Sequence, residues 1–191
     1  MSTSSGFHHG DLKAALARSA ADLVEKSGTE ALSLREVARA AGVSTAAPYR
    51  HYLNKEALLA EVARQGFMSM HDELVEIGSG QSEHEAFLSQ CIAYVRFAER
   101  RPALYRLMFG PFPDKPRHPG LIEAGERLFA LLDAPLRKAG DRQALRAIGC
   151  WAFVHGLAML ALDDQLKAHM PGTSDEHLRE IILPLAQTML T

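Results

Sequence analysis

The sequence predicts an all-α protein. Apolar residues recur at the i, i+3, i+4, i+7 spacing of helices along almost the whole chain. Capping Ser and Asn residues start these runs, and Gly or Pro ends them. No stretch alternates apolar and polar residues as a half-buried strand does, and no internal repeat is visible. The pattern yields about nine helices.

Residues 1–9 are rich in Ser, Thr, Gly and His and read as a tail. Leu12, Leu16, Ala20, Leu23 and Val24 form the apolar face of a first helix, which stops at Gly28. Ser33 and Glu36 make an S-x-x-E capping box, so a second helix starts at Leu34, with Val37, Ala38 and Ala41 as a small apolar face. Gly42 ends it, since glycine readily takes the left-handed conformation of a helix stop. Ser44 can cap a third short helix. Pro48 falls in the first turn of that helix, where a missing amide costs little. Asn54 caps a long helix on which Leu58, Leu59, Val62, Phe67, Met70, Leu74 and Ile77 share a face, and Gly78-Ser79-Gly80 ends it. With no flexible linker in view, the domain boundary is expected inside this helix near Gly66. That gives a three-helix unit over 1–66 and a larger helical unit over 67–191.

Ser82 and Glu85 form a second capping box ahead of Phe87, Leu88, Cys91, Ile92, Tyr94, Val95 and Ala98. Arg100-Arg101-Pro102 breaks that helix, and Ala103 to Phe109 is a short one. The segment from Gly110 to Gly120 holds four prolines and reads as a loop, either an entrance or a solvated connector. Leu121 to Leu136 is amphipathic, and Ala139-Gly140-Asp141 ends it. Ala144 to Leu166 is apolar almost all round, which predicts burial on most sides. Pro171-Gly172 follows. The last helix carries Leu178, Ile181, Ile182, Leu185 and Met189, with an interruption expected at Pro184.

The chain of 191 residues has room for a sizeable core, and its net charge is −2. Residues 1–66 hold eight Lys/Arg against seven Asp/Glu, and the remainder thirteen against sixteen. So weak a field predicts modest non-specific affinity for nucleic acid, so specific binding would rest on local contacts and on two copies of the chain acting together. No apolar run reads as a membrane span, and the first residues lack a signal peptide's charged start and apolar core. A cytoplasmic protein with no membrane partner is expected. Cys91 and Cys150 lack paired spacing and read as reduced core residues. His8 and His9 are adjacent and point apart, and the nine histidines are scattered, so neither metal nor cofactor is implied. With no nucleophile–base arrangement, no H-E-x-x-H and no glycine-rich phosphate loop, an enzyme is not expected.

The most informative stretch is 33–55. A short helix, a glycine turn and a second short helix make a helix-turn-helix, whose second helix enters the DNA major groove. An αα-hairpin with a structural glycine explains that much equally well. The exit decides: Pro48-Tyr49-Arg50-His51-Tyr52, then Asn54-Lys55-Glu56, suits neither a core helix nor a plain solvated one. Together with Ala31-Leu32-Ser33-Leu34-Arg35-Glu36-Val37-Ala38 and Ala41-Gly42-Val43-Ser44, it closely resembles the DNA-binding domain of the TetR family of bacterial transcriptional regulators. The resemblance covers about the first third of the chain. Trp151 with His155-Gly156 resembles the ligand domain of the subgroup named for those Trp-His-Gly residues.

The resemblance implies that Ser33, Ser44, Tyr49, His51 and Lys55 contact phosphates, with Arg35 reaching backbone or bases. It sets Thr45, Ala46 and Ala47 toward the bases, small residues suited to thymine methyls and to DNA whose shape is read. Tyr52 and Leu53 would pack on the domain core. It also implies a small-molecule effector, identity unknown, in the larger domain. Phe67, Met70, His71, Tyr94, Phe97, Met108, Phe109, Trp151 and His155 are candidate pocket residues, the competing reading being that they fill a core. The Trp-His-Gly residues read mainly as packing and helix contact, with His155 as a ligand donor the alternative. The last two helices resemble the family's four-helix dimer interface, with Gly149, Ala152, Gly156 and Ala161 permitting close approach. The resemblance therefore implies a homodimeric, ligand-responsive repressor of a palindromic double-stranded operator. A DNA-binding regulator with no small-molecule effector is the alternative.

Overall fold

The computed structural model describes residues 9–111, 115–133, 143–167, 169 and 174–189. Among them are eight α-helices: α1 (His9–Ser27), α2 (Leu34–Ala40), α3 (Lys55–Gly78), α4 (Glu83–Arg100), α5 (Pro102–Phe109), α6 (Pro119–Asp133), α7 (Gln143–Leu162) and α8 (Asp175–Met189). Single 3-10 turns stand at Pro48–Arg50 and Lys115–Arg117, and no strand occurs among the described residues. His8, the Ala139-Gly140-Asp141 stop and the Pro171-Gly172 break lie outside the described residues.

The caps act as the sequence predicts. The side chains of Ser33, Asn54 and Ser82 accept from the amides of Glu36, Ala57 and Glu85 at 3.2, 2.8 and 3.3 Å. The capping box at Ser33 closes differently from the usual form, because the Glu36 carboxylate accepts the Ser33 hydroxyl at 2.9 Å. Gly42 sits at φ +69°, the left-handed region where a Cβ would be strained, and lets Val43 N–H donate back to the Ala38 carbonyl at 2.9 Å.

Four expectations need correction. The third short helix is not α-helical: residues 45–47 form a turn, and only Pro48–Arg50 is helical, as a 3-10 turn. Pro48 has no amide for the Ser44 carbonyl, which accepts instead from Ala47 N–H at 2.9 Å, one residue short of an α-helical bond. That is why eight α-helices form and not nine; Ser44 is not the cap of this turn, whose N-cap position falls to Ala47. Secondly, α8 runs through Pro184 without a break, keeping Leu178, Ile182 and Ala186 fully buried on one face while Pro184 stays exposed. Thirdly, α7 is not buried on most sides. Ala147, Cys150, Val154, Leu157 and Ala158 are buried, but Leu145, Ile148, Trp151, Phe153 and Leu160 are between 36% and 70% exposed. By length and composition alone α7 could also cross a membrane, contrary to the reading that no run could; a core helix of a soluble protein meets the same measure.

α3 is the central strut, packing on α1, α4, α5 and α6, while α4 packs on α7 and α8. One continuous apolar core runs from Leu16 in α1 through Leu58 and Phe67 in α3 to Ile182 in α8. Gly66 marks a close approach: a Cβ there would lie 2.7 Å from Met108 Sδ and 3.0 Å from Leu104 Cδ1, so α5 crosses α3 at this residue. From the other side, the Glu25 carboxylate of α1 accepts from Ala103 N–H and Leu104 N–H at 3.2 and 2.8 Å. It caps α5 in place of Arg101, which makes no side-chain cap bond. The first helix and the fifth are thus tied by hydrogen bonds across a long span of sequence.

Candidate functional site

Two places gather functional chemistry: the face around the Pro48 turn and a cavity among α3 to α7. The turn is pinned from beneath. Tyr52 is buried, and its hydroxyl donates to the Lys13 carbonyl of α1 at 2.9 Å. Pro48 and Ala47 are buried beside it, so Ala47 points inward and not toward bases. Leu53, expected in the core, is 87% exposed, because the extended link to the Asn54 cap leaves Tyr52 as the inward residue.

Arg35, Ser44, Thr45, Ala46, Tyr49 and Arg50 are exposed around this turn, Tyr49 to 54%. Two hydroxyls, two guanidinium groups and a phenol can hold phosphates, while the small side chains of Thr45 and Ala46 leave room for a base edge or a thymine methyl. Ser33 is half-buried, its hydroxyl engaged in the α2 cap. The Lys55 ammonium donates to the Glu30 carbonyl at 3.0 Å, which ties α3 to the α1–α2 link and leaves it two further protons. His51 is half-buried in a cleft with Lys13, Arg64 and the first residues of α6. In that cleft Arg64 grips Glu61 through two bonds of 2.8 and 2.7 Å. Burial pushes the Glu61 carboxyl up, but hydrogen bonds from Arg64 and Gln65 outweigh it and hold the group below its ordinary value.

The cavity encloses about 490 Å³. Phe67 of α3, Tyr94 of α4, Met108 and Phe109 of α5, and Trp151 and His155 of α7 line it. These are six of the nine candidates. Met70 and Phe97 are buried in the surrounding core and do not reach it. His71 lies in a separate shallow cleft beside Met68 and Ala124, with Nδ1 3.0 Å from the Asp72 carboxylate. A whole wall escaped the sequence reading: Leu121, Ile122, Gly125, Glu126, Leu128, Phe129 and Leu132 of α6. The amphipathic pattern of α6 was visible, but nothing in it says that part of its apolar face borders a space. Tyr105 was missed as well.

Tyr105 matters because it completes a polar cluster in an apolar wall. Its hydroxyl lies 2.7 Å from His155 Nδ1 and 3.2 Å from the Tyr94 hydroxyl, which is itself 3.1 Å from the same nitrogen. The rings of Tyr105 and His155 stack at 5.6 Å, and Trp151 lies 5.7 Å from His155. Desolvation lowers the His155 pKa and raises those of both tyrosines, so all three groups are uncharged at neutral pH. The Tyr105 hydroxyl donates to that of Tyr94, which leaves the Tyr94 proton for Nδ1; with that proton directed at Nδ1 the neutral ring carries its own on Nε2, in the cavity wall. Among the described residues no group of three His, Cys, Asp or Glu is arranged to hold a metal. Cys91 and Cys150 are buried and unbridged, and burial pushes the Cys150 thiol up to about 11, so neither is a reactive thiolate.

Comparison with known proteins gives matches over both parts of the chain. A family model described as bacterial regulatory proteins, tetR family, matches residues 16–62, and one described as a tetracyclin repressor-like C-terminal domain matches residues 87–184, half of the chain. A solved structure of a Rhodococcus sp. RHA1 protein of unknown function is 29% identical, with 98% of this chain and 100% of that one covered, at a TM-score of 0.80. A TetR-like transcriptional regulator from the same organism shares the fold at 15% identity, with 95% and 97% covered and a TM-score of 0.68. The fatty acid degradation regulator FadR of Bacillus halodurans does so at 15% identity, with 96% and 97% covered and a TM-score of 0.69. The uncharacterized HTH-type transcriptional regulator YobS of Bacillus subtilis is 27% identical over 96 residues, a match that spans 50% of each protein.

Proposed function

The chain belongs to the TetR family of transcriptional regulators, with an N-terminal helix-turn-helix DNA-binding domain and a helical C-terminal domain, and from that premise we propose that it is a homodimeric repressor released from a palindromic operator by a small-molecule effector. The single observation that carries the effector is the cavity of about 490 Å³ walled by five helices. A core filled throughout would have favoured regulation without a ligand. The observation that supports the dimer is the row of exposed apolar residues on α7, Leu145, Ile148 and Phe153 among them, which one chain leaves in water.

In this reading the boundary between DNA-binding and effector parts falls inside α3 near Gly66, where α5 crosses it. Met108 and Phe109 of α5 line the cavity, and Met108 also rests on Gly66, so a ligand that displaces α5 acts directly on α3. The Glu25 cap carries the same displacement to α1, against which the Pro48 turn is pinned through Tyr52. Two copies of that turn meet successive major grooves, with Arg35, Ser44, Thr45, Ala46 and Tyr49 at the DNA. A hundredfold loss of operator affinity needs an effector that binds the released form about 2.7 kcal/mol more tightly than the DNA-bound form. Binding equally to both, it would change nothing.

Selection of bound duplexes from a random pool at near-physiological salt tests the reading. A two-fold symmetric consensus is expected, weakened by Tyr49→Ala. If no sequence is enriched, the operator-binding proposal fails.

A further inference from the structure

We propose that the cavity takes a lipophilic cation, an ammonium or similar positive group on an apolar body, with Glu126 as its counter-ion. This rests on the reading of the cavity as the effector site and names the ligand class that its walls fit.

The charges around the space set the sign. Among the described residues no Lys or Arg lines it, and Glu126 is the one carboxylate that does. His155, the other ionisable base present, is kept neutral by burial. A carboxylate or phosphate entering here would lose water and meet no cation among the described residues, while Glu126 would repel it. A cation meets the opposite situation. Glu126 is exposed at the mouth and has no hydrogen-bond or ion-pair partner among the described residues. It also follows Ile122 by four residues and precedes Phe129 by three, so its carboxylate rises from the same face of α6 that forms the wall.

The walls themselves favour a soft cation over a hydrated one. Aromatic rings come from all five helices, among them Phe109, Phe129 and Trp151, and their negative faces attract a positive group that has shed its water. Phe129 and Trp151 meet edge to face at 6.1 Å between centroids, opening two differently directed surfaces toward one space. A small, strongly hydrated amine would gain little there. An apolar body carrying a weakly hydrated charge gains on both counts, its body among Ile122, Met108 and the rings and its charge beside Glu126.

Trp151 is the chain's one tryptophan, so its fluorescence reports on occupancy. The full-length protein is titrated with three probes on one frame: 4-butylbenzyltrimethylammonium, 4-butylbenzyl alcohol and 4-butylbenzoate. The expected result is that the ammonium binds at least tenfold more tightly than the alcohol and that the benzoate is weakest. Glu126→Gln then brings the ammonium to the level of the alcohol and leaves the alcohol's own affinity and the melting temperature unchanged. Equal binding of alcohol and ammonium to the native protein, or a preference for ammonium that survives Glu126→Gln, overturns the cation assignment while the cavity remains a binding site. Failure of all three to change Trp151 fluorescence overturns both the assignment and the effector reading.

Discussion

The DNA-binding end and the larger helical part bury their apolar residues to different degrees. At the DNA-binding end Leu16, Val24, Leu34, Val37 and Leu58 are all sealed within one chain, and the exposed groups include those around a three-residue turn. The larger part leaves two things open: a cavity that its five helices do not fill, and the outward face of its most apolar helix, α7. A closed core can present a rigid surface to DNA, and small side chains suffice there because the scaffold supplies the placement. An open one has something for a ligand to fill and something for a second copy to cover, and each event can bias its shape. In the proposed mechanism the first region works by what it shows, the second by what it leaves incomplete.

The largest effect should come from the open face. Ile148→Glu puts a charge where Ile148 is 52% exposed and, in the proposed dimer, covered. Sedimentation should find a monomer, and affinity for a two-fold operator should fall about a hundredfold or more, as when a bivalent contact becomes single. If the variant stays dimeric, α7 is not the interface and its exposure needs another explanation.

Matched truncations sharpen the contrast between closed and open packing. Leu58 is fully buried beneath the DNA-binding end, and Leu58→Ala should cost about 2–5 kcal/mol in chemical denaturation, the range for a cavity cut into a tight core. Ile122 borders a space that already exists, so Ile122→Ala should cost about half that or less. Equal losses would mean that the cavity closes in solution.

The same contrast explains what the sequence disclosed. The proposed DNA-binding face is local: its residues lie within 33–55, and caps, a glycine stop and a Pro-Tyr pattern are written consecutively. Even there the loss of one amide at Pro48 turned a predicted helix into a 3-10 turn, a tertiary compromise that composition alone does not reveal. The cavity is non-local. Phe67 and His155 are far apart in sequence, and no periodicity distinguishes a residue that borders a void from one that fills it, which is why Met70 and Phe97 looked the same as Phe67 and Met108. The α6 wall was read as an ordinary apolar face. The exposure of α7 was hidden for a related reason: helical pattern reports how apolar a helix is, and not which of its faces the rest of the chain covers.

Glu25 joins the two regions, and its loss should matter less to stability than to communication. Glu25→Ala leaves the amides of Ala103 and Leu104 without their acceptor, a capping loss of about 1 kcal/mol. Operator affinity without ligand should change little, while the drop that a ligand causes should shrink. The two are separated by measuring operator binding with and without the best of the ammonium, alcohol and benzoate probes. An unchanged ratio would rule the α1–α5 tie out of the coupling.

The smallest effect belongs to His155 and acidity. Burial lowers its pKa in the folded protein, while in the unfolded chain it returns to the ordinary histidine value of about 6.5. Between those two values the unfolded chain binds more protons than the folded one, so stability falls as the pH drops through that window and is fully restored above the ordinary value. The structural cost is specific: protonating Nδ1 removes the acceptor of the Tyr94 hydroxyl, which itself accepts from Tyr105. His155→Gln takes the titrating ring away, so the melting temperature of the variant should vary less between pH 7.5 and 5.5 than that of the native protein. A bound cation adds a second reason for the ring to stay neutral, since a charged imidazole would repel it across the cavity. Ammonium-probe affinity should therefore fall over the same pH interval in the native protein and stay flat in His155→Gln, whereas alcohol-probe affinity should fall less in the native protein.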